Sequence, residues 1–280
     1  MPATAQLRGV SLPHEMLGDT GPVVVITPGG RRGMASDRAL GLLLAEAGFR
    51  ALVWDRRNTG AADIALTGES ESAEQAEDLY ALLKALGAVP AYVAGCSSGA
   101  RASMLLALGH PHAVRALLLW RVTGGPFAAQ RLAFTYYGQF LAAVARGGID
   151  AVAETEHFAA MIRANPANRA RLDALGAEGF RAAMERWLAS FRASAGHPVA
   201  GLSPGELRRL TMPALVVPGN DRTHPAGAAQ AAHRLIPNSL YREVLTEVVE
   251  EDVDFAGWEA ANARLAAVFI DALRRFEGRK

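Results

Sequence analysis

Lysine is almost missing from this chain. Lys84 and Lys280 are its only two, while arginine is abundant; the bias reads as the genome composition of a GC-rich bacterium rather than as a functional trait. Cysteine is scarcer still. The single Cys96 excludes an internal disulfide and fits a reducing compartment. No apolar stretch approaches the ~20 residues that a membrane span requires. The segment Met1–Gln6 lacks the charged start and apolar run of a signal peptide, so a cytoplasmic location is expected, with no membrane partner. Charge of one sign is also missing. A net +1, spread along the chain without a basic stripe, argues against nucleic acid as a partner. Neither metal-ligand spacing nor a P-loop occurs. Gly29 and Gly30 follow a candidate strand, but the third glycine of a dinucleotide fingerprint is not at its spacing. No cofactor is therefore expected.

What is present is a long βα rhythm. Half of the 280 residues are hydrophobic, enough for one large domain or a core with an insertion. Short, continuously apolar runs at 23–26, 51–54, 91–94 and 116–120 alternate with helical patterns at 39–47, 74–86 and 100–108. Such runs imply strands buried on both faces, in a mostly parallel sheet with helices on either side. Residues near Leu7 and from His14 to Leu17 are candidates for an antiparallel edge. From Gly124 to about Pro213 the pattern is helical only, with pieces at 127–146, 150–164, 166–175, 178–193 and 204–210. The rhythm then resumes with strands at 214–217 and 240–245 and helices at 227–235 and 258–276. The implied division is an α/β core of residues 1–123 and 213–280, interrupted by an all-α cap of residues 124–212.

Gly95-Cys96-Ser97-Ser98-Gly99 carries the most information. It fits the G-x-S-x-G nucleophile elbow and lies between a strand and a helix, the context the motif requires. The turn is so tight that side chains at 95 and 99 would meet neighbouring backbone. Ser97 is then expected at strained backbone angles, its hydroxyl above the carboxyl edge of the sheet.

With the elbow, the rhythm and the helical insertion together, the chain resembles an α/β-hydrolase with a helical cap over nearly its whole length. The resemblance implies Ser97 as nucleophile and the backbone N–H of Ser98 as one oxyanion donor. The second donor comes from the loop after an earlier strand, here Pro28-Gly29-Gly30-Arg31, which points to Gly30. It also implies that Trp54–Gly60 is structural, with Asp55 and Arg57 in ion pairs. The family's acid lies after the strand that follows the cap, which maps to Asp221 in Pro218–Pro225.

The family's histidine belongs in the loop after the last strand. Here that loop, Thr246–Asp254, has none, and the chain's last histidine is His233. A serine hydroxyl needs a base within about 3 Å. His224, in the same turn as Asp221, is the best relocated base. His157 and His197 on the cap and Glu247, Glu250 and Glu251 in the acidic loop are the other candidates, and the plain reading of that loop is a solvated one. Arg121, directly after a buried strand, is a candidate to hold a substrate carboxylate or enolate, with an ion pair at the cap hinge as the other reading. Arg31 is a weaker candidate of the same kind. Tyr137, in the aromatic segment Phe134–Phe140, can offer a polar tip to a ligand. The expected function is a cofactor-independent serine hydrolase acting on a small ester, lactone or C–C-cleavable ketone. A non-hydrolytic lyase or isomerase, or a ligand-binding protein, stays open beside it, as does a homodimer.

Overall fold

The computed structural model describes residues 2–251 and 253–278. Eight strands form one sheet: β1 (Ala3–Leu7), β2 (Val10–Leu17), β3 (Val23–Thr27), β4 (Arg50–Trp54), β5 (Ala91–Cys96), β6 (Val114–Trp120), β7 (Ala214–Val217) and β8 (Ser239–Tyr241). Their spatial order is β1-β2-β4-β3-β5-β6-β7-β8. Strands β3 to β8 run parallel to one another, and β1 and β2 form an antiparallel edge, with β2 paired antiparallel to β4. In β3, Val23 and Val25 enter the core on one face while Val24 and Ile26 enter it on the other. The strands β4 to β7 alternate in the same way, which is why they read as unbroken apolar runs.

Helices α1 (Arg38–Glu46), α2 (Glu71–Ala85) and α3 (Ser98–Gly109) connect the first parallel strands. The insertion holds α4 (Pro126–Ala133), α5 (Gln139–Ala153), α6 (Glu156–Ala164), α7 (Ala167–Ala193) and α8 (Pro204–Arg208), and the chain ends in α9 (Ala226–Leu235), α10 (Ala256–Ala260) and α11 (Asn262–Glu277). Leu40 and Leu44 of α1 and Phe269 and Leu273 of α11 cover one sheet face, while α2, α3 and α9 cover the other. The insertion has its own core around Phe140, Phe158, Phe180 and Trp187, with Ile64 and Leu66 from the sheet side packed into it. Among the described residues no helix is long and apolar enough to cross a membrane.

Several boundaries differ from the sequence reading. The helix expected at 127–146 contains a π-helical turn at Phe134–Gly138, where the aromatic residues crowd. The piece expected at 150–164 breaks before α6, where Thr155 turns to an extended ψ and bonds Val152 O through its hydroxyl. Strand β8 stops at Tyr241 rather than near 245; it is an edge strand, and Arg242 and Glu243 face solvent. Helix α2 starts three residues earlier than residue 74, at Glu71.

Candidate active site

The carboxyl edge of the parallel sheet gathers the chemistry-bearing loops. Such edges are where open α/β sheets bind ligands. After β5 the chain turns through Ser97, at φ 53° and ψ −112°, into α3. A Cβ on Gly99 would lie 2.2 Å from Thr27 O, and one on Gly95 would lie 2.5 Å from Gly99 O. Both positions therefore admit only glycine. Ser97 N donates to Trp120 O at 3.1 Å, which ties the strained residue to β6.

The loop after β7 brings two further groups to the same place. Asp221 accepts from the backbone N–H of Thr223 at 2.9 Å and of His224 at 2.8 Å, so the carboxylate folds the turn around itself. The turn brings Asp221 Oδ1 to 2.8 Å from His224 Nδ1. The other ring nitrogen, Nε2, lies 2.9 Å from Ser97 Oγ across 127 residues of sequence. With its proton on Nδ1 facing the carboxylate, the imidazole presents Nε2 as an acceptor to the serine hydroxyl. Gly219 makes the return possible, since a Cβ there would lie 2.3 Å from His224 Cβ.

Arg121 sits behind this pair. Its Nη2 donates to Asp221 Oδ2 at 2.6 Å and lies 3.3 Å from His224 Nδ1, and its Nη1 donates to Asp254 O at 3.0 Å. Read from sequence as a candidate to hold a substrate, it is instead buried with both terminal nitrogens engaged by the protein. The loop where the family keeps its histidine closes the site from behind. Asn220 donates to Glu247 O at 3.0 Å and accepts from Trp258 Nε1 at 2.9 Å. Glu247, Glu250 and Glu251 are exposed.

Burial and charge set the proton positions. Burial pushes the Asp221 carboxyl up, but the hydrogen bond and charge of His224, with Arg121 and the backbone, outweigh it and hold it below the usual carboxylate range. His224 moves down from 6.5, because burial and the Arg121 charge disfavour the imidazolium more than Asp221 favours it. At neutral pH the ring is therefore neutral, the state a base requires.

On the other side of the elbow, Gly29 packs against Cys96 and Ser97 so closely that a Cβ would meet Ser97 Cβ at 3.2 Å. The carbonyl of Gly30 accepts from Arg56 Nη2 at 3.0 Å and from Ser98 Oγ at 3.3 Å, which fixes this loop over the start of α3. Gly30 and Ser98 border one small chamber together with Tyr137. Tyr137 is buried, and its phenol is raised by that burial. A larger cavity of about 400 Å³ opens beside it, between Gly30 of the loop after β3, Tyr136, Gln139, Phe140 and His157 of the inserted helices and Phe255 of the last loop.

The remaining candidates lie elsewhere. His157 borders the large cavity; burial pushes its imidazole down to about 3, and its Nε2 has no partner. Neither it nor His197 hydrogen-bonds Ser97 or Asp221. Arg31 is paired with Glu71 and donates to Tyr136 O at 2.9 Å. Arg57 forms the expected ion pair, to Asp78, but Asp55 holds the backbone N–H groups of Met34 and Ala61 instead of a cation. Two residues that sequence reasoning passed over are Arg56 and Arg101, both buried beside the elbow. Arg56 lay in a segment read as structural, and nothing in a helical pattern marks Arg101 as an arginine that turns inward.

The chain belongs to the α/β hydrolase fold family, whose pattern it matches over residues 22–185. A protein named as a carbamate hydrolase, RutD, from Caulobacter sp. (strain K31) is 38% identical over 63 residues, which span 22% of this chain and 24% of that protein. Among solved structures, a hydrolase from Pseudomonas aeruginosa PA01 is 22% identical with a TM-score of 0.66, covering 99% of this chain and 98% of that one. The enol-lactonase from Burkholderia xenovorans LB400 is 18% identical with a TM-score of 0.64, covering 97% and 100%. These structural likenesses carry the fold.

Proposed function

We propose that this protein is a serine hydrolase of small esters or lactones, with Ser97, His224 and Asp221 as its catalytic triad. The observation that supports this best is the unbroken line from Asp221 Oδ1 through the His224 ring to Ser97 Oγ, at 2.8 and 2.9 Å. In this reading the family's base is supplied three residues after the acid rather than from the loop after the last strand.

Ser97 Oγ attacks the carbonyl carbon as its proton passes to His224 Nε2. Asp221 stabilises the imidazolium and keeps the ring in the required tautomer. The negative charge that develops on the carbonyl oxygen is received by the backbone N–H groups of Ser98 and Gly30. Loss of one such donor typically costs ~2.7–4 kcal/mol of barrier. His224 then gives its proton to the leaving alcohol, and a water, activated by the same ring, releases the acid and restores Ser97. Residues 124–212 act as the cap over a core of 1–123 and 213–280, and the cavity of about 400 Å³ below the cap suits a small substrate.

A fluorophosphonate probe tests the reading. The parent protein should label stoichiometrically, and Ser97→Ala and His224→Ala should not label on the same time scale. Asp221→Asn should slow labelling strongly. A parent protein that stays unlabelled, or a His224→Ala variant that labels at the parent rate, overturns the assignment.

A further inference from the structure

The chamber beside Gly30 and Ser98 is lined by two buried guanidinium groups that no carboxylate contacts within ion-pair distance. Arg56 is 1% exposed. Its terminal nitrogens meet only neutral acceptors: Gln75 Oε1 at 3.3 Å, Ser98 Oγ at 3.1 Å, Gly30 O at 3.0 Å and Arg32 O at 3.4 Å. Arg101 is 5% exposed; among the described residues its guanidinium makes one hydrogen bond, from Nη1 to Ser72 Oγ at 3.4 Å, and its Nε and Nη2 have no partner. The chamber's one carboxylate, Glu71, is taken by Arg31. Among the described residues neither Arg56 nor Arg101 forms an ion pair. A charge held out of water without a counter-charge is costly, so a fold that keeps two of them at its reaction site gains when an anion arrives.

The backbone is shaped around one of them. Gly201 is at φ +90°, and a Cβ there would lie 2.3 Å from Arg101 Cδ. The Arg101 stem thus passes through space that only glycine leaves free, before its guanidinium reaches the face of Phe191, 5.0 Å from the ring centroid. The free volume of the chamber is about 10 Å³, room for roughly one water-sized atom. That favours a planar carboxylate, which carries less bulk behind its leading oxygen, over a tetrahedral phosphate or sulfonate.

We infer that Arg56 and Arg101 form a carboxylate subsite beside the oxyanion donors, and that the substrates are small esters or lactones that carry a free carboxylate. The inference rests on the hydrolase reading for the word substrate, but not for the subsite itself. Two measurements keep the two apart. First, kcat/KM of the parent is compared for aryl hemisuccinate and hemiglutarate esters against their methyl-capped forms, and for the same pairs with the carboxylate on the alcohol side. Second, Ser97→Ala protein is titrated calorimetrically with monomethyl glutarate, dimethyl glutarate and a sulfonate analogue.

The carboxylate form should be preferred by about tenfold or more in both measurements. Arg101→Gln should reduce the preference by a similar factor, and Arg101→Lys, which keeps the charge, should restore part of it. Equal handling of charged and capped forms by the parent, or a preference untouched by Arg101→Gln, overturns the subsite. If no ester is turned over while Ser97→Ala still selects the carboxylate, the hydrolase reading falls and the subsite stands.

Discussion

Arg121 donates a 2.6 Å hydrogen bond to Asp221 while its guanidinium also stands 3.3 Å from His224 Nδ1. The arginine thus orients Asp221 and penalises the protonated ring at once. Its charge is one reason His224 is held below 6.5. A base with a lowered pKa stays neutral, and therefore active, further into acid than an ordinary histidine. The acidic limb of a kcat/KM profile should accordingly lie below pH 6.5. Arg121→Gln removes the positive charge, so the imidazolium becomes easier to form and the limb should move to higher pH. A pH profile of both proteins on one ester measures the shift, and a limb that moves down contradicts the electrostatic account.

Gly219 governs where His224 stands. With its missing side chain replaced by a methyl group, a carbon would lie 2.3 Å from His224 Cβ and 2.4 Å from His224 O. These are parts of a buried turn that cannot swing away. Gly219→Ala should displace the imidazole by a fraction of an ångström to an ångström. A shift of that size costs on the order of 100-fold in rate. Esterase kcat and fluorophosphonate labelling should fall together, while circular dichroism keeps the parent's helix and strand content.

Much of this arrangement was legible in the sequence, for reasons that can be traced. Ala51, Leu52, Val53 and Trp54 read as a strand because both faces of the sheet are covered, and Gly95 and Gly99 read as a turn because no other residue fits. His224 was a candidate because it shares the turn of Asp221 while the loop after the last strand has no histidine; its distance to Ser97 was not readable. What was not legible depends on contacts between distant segments. The direction of Arg121 is set by Asp221, 100 residues later. Arg56 is buried between Gln75 of α2, Ser98 of α3 and the loop after β3, and Arg101 against Ser72, Phe191 and Gly201, which lie far from it in sequence. Breaks within helices, such as the π turn at Phe134–Gly138, leave no mark in the helical spacing of the apolar residues.

Cys96 is adjacent to Ser97, the proposed nucleophile, yet it should be inert. Its side chain is buried in the sheet core with Tyr92 and Trp120, and burial pushes the thiol up to about 12. Only the thiolate reacts readily. Treatment of the folded protein with an aromatic disulfide reagent should therefore release no signal on the time scale of minutes, and one equivalent should appear after denaturation in guanidinium. Rapid reaction of the native protein would mean that the elbow opens far more often than its packing implies.

The buried ion pair of Arg57 with Asp78 should carry stability rather than activity. Arg57 Nε and Nη2 donate to Asp78 Oδ2 at 2.5 Å and Oδ1 at 2.7 Å, and Arg57 Nη1 lies 3.0 Å from Glu74. Asp78 is fully buried on α2, and Arg57 belongs to the loop after β4, so the pair joins a helix to the floor beneath the site. A buried charge left wholly uncompensated typically costs ~3–5 kcal/mol; Glu74 still faces Arg57 when Asp78 is replaced, so that range is a ceiling. Asp78→Asn keeps the shape and some hydrogen bonds, so it should lie further below that ceiling than Asp78→Ala. Urea unfolding followed by tryptophan fluorescence measures the difference. At temperatures where both variants remain folded, the rate of Ser97 labelling should change far less than stability does, because neither residue touches Ser97, Asp221 or His224.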